Sequence, residues 1–135
     1  MSILKVLSFG FIGAILYLNV AIAHEMVPTY PKWRVSSYEN VLVTTIEMFN
    51  KREDVDYYEI GVFDKNFNPV PFVSSYKIMK LDYLKHVTFD VYIGKEDAYH
   101  AYYICSKSKL RKEDTTRTAV SSKICSRFKW DKLWG

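Results

Sequence analysis

Residues 86–93 read HVTFDVYI, and every second position is apolar: Val87, Phe89, Val91 and Ile93 alternate with His86, Thr88, Asp90 and Tyr92. A period of two is the signature of a strand with one buried face. The same period recurs in DYYEIGVF (56–63), where Tyr58, Ile60 and Val62 share a side, and in VLVTTIEMF (41–49), YHAYYIC (99–105) and AVSSKICSRF (119–128). Between these runs lie turn-forming clusters: NKRED (50–54), DKNFNP (64–69) and GKED (94–97). The best helical candidate, residues 77–85, is short and mixed in polarity. Five to seven short strands at this spacing predict an all-β chain folded as an antiparallel sandwich. Loose ends are expected at 24–32 and 131–135.

The start of the chain breaks the pattern. MSILKVLSFGFIGAILYLNVAIA carries one base, Lys5, then an almost wholly apolar run from Val6 to Val20, then Ala21-Ile22-Ala23. Such a segment is read as a signal peptide over residues 1–23, cleaved after Ala23. A mature domain of 112 residues, 24–135, would begin at His24. The expected location is periplasmic or secreted, with no stable membrane insertion once the signal is removed.

Export changes how the rest is read. The chain has two cysteines, and an oxidising compartment makes a Cys105–Cys125 disulfide the default. A hairpin centred near Thr115 would set the two opposite each other. The net charge is +4 over the full chain, and the bases concentrate from Lys107 onward. Nucleic acid is not an expected partner, because the protein is exported and the charges interleave with strand residues instead of forming a tail. In residues 119–128 one parity holds Val120, Ile124 and Phe128, and the other holds Lys123, Cys125 and Arg127, with Lys129 continuing it. The first set is expected to face the core and the cations to face water. If the strand edge is open, an extended partner segment can add to it. The alternative is an edge blocked by the chain's start, around Pro28 to Val35.

The order of segments resembles the N-terminal immunoglobulin-like domain of periplasmic pilus-assembly chaperones. Tyr30-Pro31 precedes the first long strand, VTTIEMFNK runs into an Asn-containing turn, and DYYEIGVFDKNFNPVPF supplies a strand, loop and Pro-flanked Phe. KIMKLDYLKHVTFDVYIGKEDAYHAYYICSKSK follows as the later strands, and SSKICSRFKW closes on a basic and aromatic segment. The resemblance implies a single immunoglobulin-like sandwich and a function in which an edge strand pairs with a secreted protein subunit. That family also anchors its partner's terminal carboxylate with an Arg and a Lys. Val27 and Cys125 stand at those two places here, so Arg34, Lys123, Arg127 and Lys129 become the candidate binding residues.

No P-loop, GxSxG, HExxH or zinc spacing occurs, and the acidic pairs Glu53-Asp54, Glu96-Asp97 and Glu113-Asp114 lie in hydrophilic turns. A non-enzymatic binding domain without cofactor is therefore expected. Two alternatives stay open. After cleavage, the His24 amine and imidazole could chelate copper with help from His86 and His100, as exported copper carriers do. Alternatively, Tyr57, Tyr92, Tyr102 or Tyr103, with Trp130 and Trp134, could form an aromatic face of an envelope or surface adhesion module.

Overall fold

The computed structural model describes residues 24–109 and 121–129. Within them the alternation becomes nine strands: β1 (Glu25–Val27), β2 (Arg34–Val35), β3 (Val41–Phe49), β4 (Tyr57–Phe63), β5 (Val73–Ser74), β6 (Ile78–Lys80), β7 (His86–Gly94), β8 (Tyr103–Lys109) and β9 (Lys123–Arg127). A single helical turn, α1 (Lys95–Ala98), follows β7. The strands form two antiparallel sheets. The first runs β1-β3-β7-β5, with β2 also on β3, and the second runs β6-β4-β8-β9.

Register explains the core. β3 and β7 pair along their whole length, so Leu42, Thr44 and Ile46 lie beside Ile93, Val91 and Phe89 on one face. Across the gap, β4 presents Tyr58, Ile60 and Val62, and β8 presents Ile104. All are buried, together with Met48, Met79, Trp33 and Phe128. Two sheets sharing one dry layer make the all-β sandwich that the period-two pattern predicts.

The structure corrects several expectations. Residues 24–32 are not loose. Met26 is buried, β1 pairs with the end of β3 through Met26 and Met48, and Pro31 is buried. This start is held because it supplies an edge to the first sheet and covers part of the core. The strand expected at 99–105 is shifted: Tyr99 lies in the turn after α1, and β8 begins only at Tyr103 and runs on to Lys109. The shift follows from α1, whose last carbonyls accept bonds from the amides of His100 and Ala101. Part of the helical candidate at 77–85 is β6. Residues 1–23, Val120, the turn around Thr115, Trp130, Trp134 and the end at 131–135 lie outside the described residues.

Candidate functional site

β9 keeps the predicted parity. Ser126 and Phe128 are buried and Ile124 half-buried, whereas Lys123, Cys125, Arg127 and Lys129 are exposed. Its pairing with β8 fixes where its backbone groups point. Ser108 N–H donates to the Ser122 carbonyl, and Phe128 N–H donates to the Tyr102 carbonyl. In an antiparallel ladder, bonded and non-bonded pairs alternate. The even residues of β9 therefore bond to β8, and Lys123, Cys125 and Arg127 turn their N–H and C=O groups away from it. No strand pairs with that side among the described residues. One rung further on, Lys129 N–H donates to the Pro31 carbonyl at 2.9 Å. The chain's start thus closes the end of the edge at Lys129 and runs close to β9 through β1, while the outward backbone groups of Lys123, Cys125 and Arg127 pair with no strand among the described residues. Among the described edge strands β9 is the longest, since β1 and β6 have three residues and β5 two.

Cys105 and Cys125 form the expected disulfide. They are cross-strand partners in the β8–β9 register with Cα atoms 4.1 Å apart, the close spacing of a non-hydrogen-bonded pair. The bond lies on the outer face of the second sheet. The register places Phe63, Tyr103 and Arg127 in one row across β4, β8 and β9, then Gly61, Cys105 and Cys125, then Glu59, Lys107 and Lys123. Gly61 matters here because a Cβ at this position would sit 2.7 Å from the Phe63 ring, which lies down over it. Lys123 extends its ammonium to 5.2 Å from the centres of both the Phe63 and Phe67 rings. Phe67 reaches the sheet from the 64–69 loop and stacks on Tyr103 at 4.5 Å. That loop is shaped by Asp64, whose carboxylate accepts the amides of Asn66 and Asn68. The Asn68 amide above all holds its pKa below the usual carboxylate range. Arg127 lies over the Tyr102 ring at 4.7 Å.

The charges on this face are unevenly paired. Glu59 faces Lys107 across the ladder, yet its carboxylate is bonded to Lys109 at 2.9 Å. Lys107 and Lys123 are direct cross-strand neighbours, an arrangement that costs stability between like charges. They rim a depression of about 240 Å³ that Glu59, Gly61, Phe63 and Cys105 also line.

Arg34 does not join these cations. It sits on β2 at the outer face of the other sheet, where its guanidinium donates to Thr45 at 2.8 Å and lies 3.7 Å from Asp90. Its position on β2, paired with β3, puts it on the wrong sheet. Tyr92 belongs to that same sheet, with Tyr38 edge-on to it at 6.0 Å. Tyr57, Tyr102 and Tyr103 are half-buried around the second sheet, Tyr102 and Tyr103 with ring centres 4.6 Å apart, so Tyr92 stands apart from the other three.

The histidines are not assembled as metal ligands. His24 is buried, its Nε2 2.7 Å from the Ser106 hydroxyl and its Nδ1 3.1 Å from that of Ser122. Both ring nitrogens are engaged within the protein, which corrects the chelating role. Burial, with the nearby Arg52 charge as a lesser contribution, lowers its pKa to about 4 despite an opposing hydrogen bond from the ring to the Ser106 backbone. His86 is exposed at one end of β7, stacked on Phe49 at 4.1 Å and bonded to Glu47 at 3.0 Å. His100 follows α1 beyond the other end, so β7, at about 3.3 Å per residue, holds the two roughly 25 Å apart. No group of three or more metal-ligating side chains occurs among the described residues.

The buried polar groups near His24 were not foreseen. Asn50 lies in a segment that reads as a plain turn. Its amide nevertheless donates to the Val55 and Leu81 carbonyls, and its carbonyl accepts from Arg52 N–H and the Tyr58 hydroxyl. Arg52 grips Asp54 through two bonds and reaches Ser122 at 3.2 Å. Burial pushes the Tyr58 phenol up to about 12, so it remains a donor. This network ties the chain's start, the β3–β4 turn and β9 together.

No family model matches the sequence, and no curated protein does. Among solved structures, a FixG-related protein from Vibrio parahaemolyticus is similar, with 13% identity and a TM-score of 0.45 over 80% of this chain and 96% of that one.

Proposed function

We propose that the protein is an exported, non-catalytic binding module that takes an extended segment of a protein partner onto the free edge of β9. The observation that carries this reading is the run from Lys123 to Arg127, whose outward backbone groups meet no other strand among the described residues. An added strand satisfies such groups by backbone pairing and gains specificity from alternate side chains. Export is supported by the closed Cys105–Cys125 bond, a linkage favoured in oxidising compartments. No helix among the described residues is long and apolar enough to cross a membrane.

The test is a proline at an outward-pointing position. Arg127→Pro removes an edge donor without touching the ladder to β8, because its N–H points the other way. Arg127→Gln removes the charge and keeps the donor. The partner recovered by wild-type protein from the exported compartment should be lost with the proline variant and retained, more weakly, with the glutamine variant. Equal recovery by wild type and the proline variant would refute edge pairing.

A further inference from the structure

We infer that this edge selects a short acidic segment, of about five residues, with a carboxylate at its first and fifth positions and a small residue at its centre. The inference rests on the edge-pairing reading and specifies what the edge accepts.

Length comes from the two ends of the open run. Lys129 is already bonded to Pro31, so a docked strand cannot continue past Arg127 on that side. The regular β8–β9 pairing covers Lys123 to Arg127. Side-chain pattern comes from the pleat. Residues opposite Lys123 and Arg127 on an added strand are four apart and on the outer face. The residue between them lies opposite Cys125, against the disulfide. The two intervening residues turn inward, beside half-buried Ile124 and buried Ser126 and toward β1.

Charge comes from the unevenly paired cations. Lys107 and Lys123 stand side by side although their adjacency is unfavourable, and the one acid in their row is engaged by Lys109. A carboxylate arriving opposite Lys123, whose ammonium otherwise lies over the Phe63 and Phe67 rings, relieves that repulsion. At the other end, Arg127 is exposed with its guanidinium 4.7 Å from the centre of the Tyr102 ring, and it supplies a cation for a second carboxylate. Lysine on an edge strand also protects against unwanted pairing. That protective role predicts no preference for acid-bearing strands beyond general charge attraction.

The experiment uses the full protein and four synthetic strand-forming peptides of one length. The first carries Glu at positions one and five, and the second Gln at both. The third places both Glu residues at adjacent positions, and the fourth repeats the first with N-methyl groups on the amides that would bond to the edge. The Glu-1,5 peptide should bind about tenfold more tightly than the Gln peptide at low salt, with the gap shrinking as salt rises. It should also bind better than the adjacent-Glu peptide, and Lys123→Gln should remove most of that advantage. The N-methylated peptide should not bind. Equal binding of the Glu-1,5 and Gln peptides, both lost on N-methylation, would overturn the acidic pattern and leave edge pairing standing. Equal binding of the Glu-1,5 and adjacent-Glu peptides would overturn the spacing. Undiminished binding of the N-methylated peptide would overturn edge pairing itself. Binding of none of the four would overturn the pattern and assign the lysines to protection of the edge.

Discussion

His24 shows how much one side chain depends on its surroundings. Removed from water between the two sheets, with both ring nitrogens spent on serine hydroxyls and the Tyr58 ring 4.5 Å away, it folds as a neutral imidazole. Its folded pKa of about 4 lies below the ordinary 6.5, so the unfolded chain binds the proton more readily. The stability that His24 contributes is therefore complete above about pH 6.5 and declines as pH falls toward 4. The difference amounts to about 3 kcal/mol. Urea unfolding between pH 7 and pH 4.5 should show this loss, and His24→Gln should flatten the slope in that window. An unchanged slope in the variant would place the pH sensitivity elsewhere. In the sequence His24 reads as a mature terminus free to chelate. Nothing in the residues on either side of it signals that Ser106 and Ser122, distant in the chain, close around its ring.

At the scale of elements, the long strands were legible and the short ones were not. β3, β4 and β7 announce themselves because each buries one parity against a continuous apolar layer. β1, β2, β5 and β6 are two or three residues long, too short to express a period. β9 was legible in its parity, and its register with β8 followed from pairing the two cysteines. The open side of β9 could not be read, because an edge is defined by which strand is missing beside it. The network around Asn50 was hidden for a related reason: an Asn after a strand is also the common mark of an exposed turn. The disulfide closes a separation of 20 residues, and its loss should cost about 3 kcal/mol through the freedom regained by the unfolded chain. Comparing urea midpoints of oxidised protein and a Cys105→Ala/Cys125→Ala double variant measures this. A difference near zero would mean that the β8–β9 pairing and the contacts of Phe128 with Trp33 already hold the edge strand in place.

For the whole molecule, the two lateral sides of the sandwich differ in kind. One side ends in β5 and β6, with Val73, Tyr76 and Ile78 exposed. The other ends in β1 and β9, where the chain's start meets Lys129 and the cations stand along an edge that no strand among the described residues pairs with. The proposed binding lies on the second side, where among the described residues the outward backbone groups of β9 meet no strand and no salt bridge engages Lys123 or Arg127. Residue-resolved amide hydrogen exchange, with and without the Glu-1,5 peptide, tests that claim most directly. In the free protein the amides of Lys123, Cys125 and Arg127 should exchange fast while those of Ile124 and Ser126, bonded to β8, exchange slowly. Bound peptide should slow the first three and leave the other two nearly unchanged. Bound peptide that leaves Lys123, Cys125 and Arg127 exchanging as fast as before would contradict strand addition at this edge.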